Sequence, residues 1–517
     1  MSRALSAALL ALHAALIATV VFLAIVVFAE PLGIQGVLYT SDSANALLLA
    51  GDILRDPTSY GRWVLPPSFY LVPDVALSAL VIASGVKPLW QMPAYYAVMA
   101  ALQCLAVGLV LARLRAIPVA LGMWAWTATL ILIVLVGLIS AELTVSSQTV
   151  LRTPLLFYHS GTLLLSLVAF RLLLGSSDSG SLPPASRFWL SVLIVVATFS
   201  DLIFIGWLVA PAVLALVVIA CRTRQFAFFR LALLIGALAL IAAIAEIVVN
   251  AARRSYLHAN DIFHPFAVLS EYGRAIAASP DIASLIVIAV LIIAGLQALR
   301  IIFAVRTDAV GNAGGLATLF LGTGGPGALA GFIILGLTID TVDYRFLIPV
   351  YVYPSLWLLY VLFGKPFARS LPAVAAAVPA LALGILAAFR FEDAPPPMAA
   401  HHADLIACLD AEGRTAGLSD YWDAMAVMQP TGGRIHAVAI AADGLGYLWN
   451  VNRDWYFWRR DNGADAAFDY VVMRKLDPAK IAARYGTPDR EISCADRTIW
   501  LYDRPVFPRG SDPRNPS

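Results

Sequence analysis

Asp42 is the residue in this chain best placed to act as a base. It lies in the stretch TSDSANALLLAGDILRDPTSYGRWVLPPSFYLVPD, residues 40–74, shortly after a run free of Asp, Glu, Lys and Arg that extends from Ala4 to Ala29. About 20 apolar residues suffice to cross ~30 Å of hydrocarbon, so Asp42 is expected just beyond a membrane span. A carboxylate there can take the proton of a hydroxyl group arriving from the aqueous side. A second acid, Asp52, follows ten residues later. The competing reading of Asp42 is a helix N-cap for SANALLLAGDIL.

The composition demands a membrane. The 517 residues are 60% hydrophobic and 13% charged, with a mean hydropathy of +0.81; soluble domains carry about twice that charge fraction. A formal net charge of +2 gives no sign of a nucleic-acid partner. The first apolar run is longer than the ~7–15 residue core of a signal peptide and lacks a small-residue cleavage site, so it reads as a retained anchor. An acidic, aromatic and proline-rich loop after such an anchor points to chemistry on lipid-linked substrates.

Uncharged runs recur at about 4–29, 88–112, 116–141, 153–170, 188–200, 202–221, 231–245, 282–299, 309–339, 346–364 and 371–389. They predict an α-helical polytopic protein of about eleven spans, with 188–221 either two spans or one bent helix. Basic residues such as Arg3, Arg113, Arg115, Arg171 and Arg222 gather in alternate loops, which places the N-terminus in the cytoplasm. The other loops collect the acids, among them Asp42, Asp52, Asp74, Glu142, Asp201, Glu246 and Asp343. Residues 30–87 form the first outer loop, and 66–86, interrupted by Pro73 and Asp74, is expected as a helix lying along the interface.

Past residue 390 the character changes. EDAPPP marks a linker over 391–399, residues 400–507 read as a soluble α/β or α+β domain, and 508–517 as a disordered tail. ADLIACL predicts a helix, and RIHAVAIAA, FDYVVMRKL and RTIWLYDR predict strands. An odd number of spans puts this domain outside, periplasmic or extracellular if the chain sits in a bacterial-type inner membrane. Cys408 and Cys494, the only cysteines on that oxidising side, are expected to pair. Cys104 and Cys221 fall in spans as small apolar packers. No Cys/His spacing suggests zinc, and His401 and His402 read as solvated linker residues. The aromatics of NVNRDWYFWRR, 450–460, suit either sugar stacking or a membrane-interface belt.

Asp42 in the first outer loop, the PPSFY segment, the second span ending LARLR, the bend FSDLIF, and Tyr344-Arg345 before FLIPVYVYPSLW together resemble the GT-C glycosyltransferases. These are the membrane enzymes, such as aminoarabinose transferases and protein O-mannosyltransferases, that use polyprenyl-phosphate sugars. The likeness covers the layout of residues 1–390. It implies an inverting transfer from a polyprenyl-phosphate sugar to an extracytoplasmic glycan or glycolipid, with Asp42 as general base. The donor phosphate then needs cations, for which Arg345, Arg152, His159 and Arg274 are candidates; Asp201, Tyr344, Asp52 and Glu142 are further substrate-site candidates. Family members often carry two adjacent acids in the first loop, whereas Asp42 stands between serines. A divalent metal therefore stays an open alternative without a paired-acid motif to support it, and no cofactor is assigned. Arg345 alternatively pairs with Asp343 or Asp340, and Asp201 alternatively caps a helix. A transporter or flippase of lipid-linked sugars, and an O-antigen polymerase or ligase using the loop at 250–281, remain the rival readings.

Overall fold

In the computed structural model, the described residues are 3–28, 35–66, 69–138, 159–176, 180–250, 274, 282–303, 312–334, 348–364, 398 and 400–507. The protein is mostly helical. Among the described residues, five helices are long and apolar enough to cross a membrane: Ala4–Val26, Pro88–Arg115, Ile205–Thr223, Phe226–Val249 and Ile282–Phe303. This makes the chain a membrane protein. The expected count of eleven is not established. Pro184–Ser200 and Ile348–Leu362 are shorter apolar helices, and the run 371–389 lies outside the described residues. The stretch 188–221 is two helices, parted at Asp201.

Two compact units emerge. One holds the described residues of Met1–Leu23, Ala97–Asn250 and Leu257–Phe389; the other holds those of Ala24–Tyr96 and Arg390–Ser517. In the first unit the helix Ala313–Ile334 packs on Ile282–Phe303 and Ile348–Leu362. Small residues set that approach: a Cβ on Gly322 would meet the Ala294 carbonyl oxygen at 2.5 Å. Helices with little hydrophobic drive to associate in lipid gain contact by letting backbones close up in this way. Glu246, expected in an outer loop, instead lies near the end of the helix Phe226–Asn250 and is buried.

In the second unit the first loop and the C-terminal region fold together. The loop forms a helix, Ser41–Arg55, followed by β1 (Trp63–Val64). The C-terminal region supplies β2 (Ala416–Ser419), β3 (His436–Ala439), β4 (Val451–Asn452), β5 (Phe468–Val472), β6 (Arg490–Cys494) and β7 (Arg497–Val506). Five of these make one sheet in the order β3-β2-β5-β7-β6. β2 runs parallel to both β3 and β5, while β7 is antiparallel to β5 and β6. β1 pairs antiparallel with β4, so the loop joins the C-terminal fold through backbone hydrogen bonds. The interfacial helix expected over 66–86 is shorter than that. Among the described residues of that stretch, Leu71–Val75 is a wide π turn and Ala76–Ala83 is α-helical, packed on Ser41–Arg55. Pro73 supplies no N–H and disfavours extension of the helix backward, and Asp74 is buried, accepting a hydrogen bond from Tyr95 at 2.7 Å.

A disulfide joins Cys408 to Cys494 across a separation of 86 residues, beside a core that includes Leu405, Leu409, Tyr470 and Leu501. His402 is buried and shares a hydrogen bond of 3.2 Å with Asp423, correcting the expectation of a solvated linker residue. Asp423 is also gripped by Arg497, at 2.8 and 3.1 Å, and by Arg474 at 3.3 Å. Burial alone would raise its pKa; the hydrogen bonds from His402 and Arg497 and their charges outweigh that and hold it far below the usual carboxylate range.

His436, on β3, makes the core sensitive to acid. Its Nε2–H donates to the Trp455 carbonyl at 2.7 Å, and its Nδ1 accepts from the Arg460 amide at 3.2 Å. That pattern needs the neutral ring, and burial pulls the pKa down to about 4. The unfolded value is ~6.5, so the unfolded chain binds the extra proton between these limits and stability rises with pH across that window. The neutral ring's contribution is complete above ~6.5 and is lost as pH falls to 4, a loss of about 3 kcal/mol. Thermal unfolding of the purified protein between pH 7 and 4.5 is expected to show this slope, and His436→Gln to flatten it. An unchanged slope in the variant would assign it to other groups.

Candidate functional site

The helix Ser41–Arg55 carries the candidate base, and its start is fixed by Thr40. The Thr40 hydroxyl accepts from the Ser43 amide at 3.2 Å, so Thr40 is the N-cap and Asp42 stands in the first turn. The capping alternative for Asp42 is thereby replaced. A carboxylate in the first turn still gains from the partial positive charge of the helix N-terminus.

Asp42 is half-buried, and its Oδ1 accepts a hydrogen bond from the Tyr421 hydroxyl at 2.6 Å. The same phenol oxygen accepts from Asn45 Nδ2 at 2.6 Å. Ser41 Oγ lies 2.8 Å from the Tyr421 carbonyl and 2.7 Å from that of Trp422, donating its hydrogen to this pair. The N-terminus of the first-loop helix is thus fastened to the turn where β2 runs into the helix Tyr421–Met428. Burial, then the charge and hydrogen bond of Asp42, push the Tyr421 phenol well above its ordinary pKa. Tyr421 therefore stays protonated and donates to Asp42. Burial and then the Asp42 charge also raise the pKa of Tyr447. The arrangement is a carboxylate oriented by a permanent donor, with half-exposed aromatic rings beside it.

Asp52 has a different place. Its side chain is 6% exposed and pairs with Arg460, equally buried, at 3.0 Å. Trp63 Nε1 donates to its other oxygen at 3.2 Å and Asn452 Nδ2 at 2.8 Å. A Cβ on Gly51 would meet Arg460 at 2.6 Å, so glycine is what lets the guanidinium cross the helix. Burial pulls the Arg460 pKa down to about 10, with Asp52 opposing, so it remains charged at neutral pH. Asp52 is a structural anchor between the loop and the C-terminal fold. The 450–460 aromatics serve that core as well: Trp455 is buried and packs edge-on to Trp63, centroids 5.0 Å apart, although Trp458 stays exposed.

The helical unit holds its own polar cluster. Asp201 follows the helix Pro184–Ser200; its Oδ1 accepts from the Ile203 amide at 3.2 Å, a local cap. Its Oδ2 lies 2.6 Å from His159 Nδ1 and accepts from the Thr162 hydroxyl. His159 is buried and meets Trp207 edge-on at 5.8 Å. The structure thus brings His159 and Asp201 together, away from water. Arg274 is helical and exposed. Arg152, Glu142, Tyr344 and Arg345 lie outside the described residues. Among the described residues, no three His, Cys, Asp or Glu side chains are grouped to hold a metal ion.

Tyr421, Asn45, Tyr447 and Trp422 were not among the residues singled out from the sequence. The signal available was the string LSDYWD, an apolar–polar switch with acids three apart, as expected where a strand runs into a capped helix. The fold and site define an α-helical membrane protein whose first loop and C-terminal α/β sheet build a carboxylate–phenol centre. No protein-family model matches the chain, and no curated protein matches it.

Proposed function

We propose that the protein is an inverting glycosyltransferase that moves a sugar from a polyprenyl-phosphate donor to an extracytoplasmic glycan or glycolipid, with Asp42 as general base. In this reaction the acceptor oxygen bonds to the anomeric carbon as the carbon–phosphate oxygen bond breaks. The acceptor proton passes to Asp42, and polyprenyl phosphate leaves with the bonding electrons. No strong acid is needed, because the phosphate is already a good leaving group. The observation that carries the reading is the half-buried Asp42 carboxylate in a helix first turn, oriented by a tyrosine that burial keeps un-ionised. A base needs a fixed direction and access to its proton; Asp42 is half-buried, whereas Asp52 and Asp423 are buried. Arg345 and Arg152 are the proposed phosphate holders, with the C-terminal region on the periplasmic or extracellular side.

The test is turnover of a radiolabelled polyprenyl-phosphate sugar by the detergent-purified protein supplied with membrane glycolipids. Labelled product and released polyprenyl phosphate are expected in equal amounts; label that stays wholly on the donor would overturn the reading. The buried His159–Asp201 pair and Glu246 favour a second reading, a transporter of lipid-linked sugars, since ionisable groups inside helical membrane units often mark transport paths.

A further inference from the structure

The parallel part of the sheet has a feature independent of Asp42. From β2 the chain passes to β3 on one side and later to β5 on the other, in the order β3-β2-β5. The direction of winding reverses between β2 and β5, and in open α/β sheets ligands bind outside the carboxyl ends of the strands at such a reversal. The carboxyl end of β2 leads into Tyr421 and Trp422. That of β5 leads into Arg474 and Lys475, and Lys475 Nζ lies 5.8 Å from the centroid of the Trp422 ring. At the end of β3, the Tyr447 amide donates to the Ala439 carbonyl at 3.0 Å. Trp422 and Tyr447 are 40% and 37% exposed, and Tyr421 touches both, with centroids 5.3 and 5.9 Å away.

Large aromatic rings left exposed at a strand end, each against a tyrosine that holds a carboxylate, suit a ligand with apolar faces and a hydroxylated rim. A pyranose ring has both. Its C–H face packs on an aromatic ring, and its hydroxyls donate charge-assisted hydrogen bonds to a carboxylate. We propose that Trp422 and Tyr447 form the platform on which a neutral pyranose of the acceptor rests, with its reacting hydroxyl directed at Asp42. This rests on the transferase reading for the sugar's role, and on the sheet topology and ring exposure for the site. The C-terminal fold then supplies the acceptor site, and the first loop the base.

The experiment is saturation-transfer NMR on the full-length protein in deuterated detergent. The probes are the methyl glycosides of glucose, galactose, mannose and N-acetylglucosamine. At least one is expected to bind saturably, with Kd on the order of 1–10 mM. Trp422→Ala and Tyr447→Ala are each expected to weaken it about tenfold without shifting the melting temperature. Asp42→Asn is expected to weaken it about five- to tenfold through loss of the charge-assisted hydrogen bond, with the stacking face unchanged. No binding of any glycoside, or binding that both alanine variants leave intact, would overturn the platform. Binding lost in the alanine variants alongside a wild-type protein that transfers no sugar would uphold the platform and discard the transferase reading.

Discussion

Asp42→Asn is expected to lower the rate of sugar transfer by ~10²–10⁴-fold, the usual contribution of a positioned general base. The substitution suits the question because it changes so little else. Thr40 caps the helix, so the cap survives, and an asparagine oxygen still accepts the Tyr421 hydroxyl. What is lost is the ability to take a proton, together with a first-turn charge worth only about 0.3–1 kcal/mol of stability. Expression, melting temperature and donor binding should therefore match wild type while single-turnover transfer collapses. Transfer within about threefold of wild type would remove Asp42 from the chemistry and leave it as a helix-end charge.

Arg460→Ala is expected to destabilise the unit formed by the first loop and the C-terminal region by about 3 kcal/mol, because it leaves Asp52 buried with only the half-exposed Arg55, 3.8 Å away, as a cation. For a unit of this size that is a fall of roughly 10 °C in melting temperature. Arg460 also donates to the Leu48 carbonyl at 3.1 Å, and Arg55 donates to the Arg460 carbonyl, so the loss loosens the first-loop helix that carries Asp42. Combining Arg460→Met with Asp52→Asn should recover part of the stability, since it removes both charges while an amide oxygen still accepts from Trp63 and Asn452. A melting temperature unchanged in Arg460→Ala would show that the pair does not hold the loop.

The sequence made some of this legible and hid the rest for physical reasons. β3, β5 and β7 were visible because HAVA, FDYVV and RTIWLYDR are apolar or alternating over strand lengths. β2, the strand at the centre of the parallel part, escaped because it is four residues, AGLS, one of them glycine. The β1–β4 pairing escaped because two-residue strands carry no period. His402 was misread because its neighbours look like a linker, whereas its partner Asp423 lies in a different element. The helix bearing Asp42 was clear from SANALLLAGDIL, but no local pattern could reveal Tyr421 as its partner, 379 residues away. The helical unit was readable as apolar runs, but the side chains that meet within it, His159 and Asp201, depend on how the helices pack.

The central claim is that the protein transfers a sugar rather than moving a lipid-linked sugar across the bilayer. Proteoliposomes containing purified protein, a fluorescent polyprenyl-phosphate sugar and a glycolipid acceptor separate the two, because transfer changes the covalent attachment of the sugar and transport changes only its side. The expected result is covalently labelled acceptor and free polyprenyl phosphate with wild type, and neither with Asp42→Asn. Donor that crosses the bilayer with its sugar still attached, equally in wild type and Asp42→Asn, would contradict the claim.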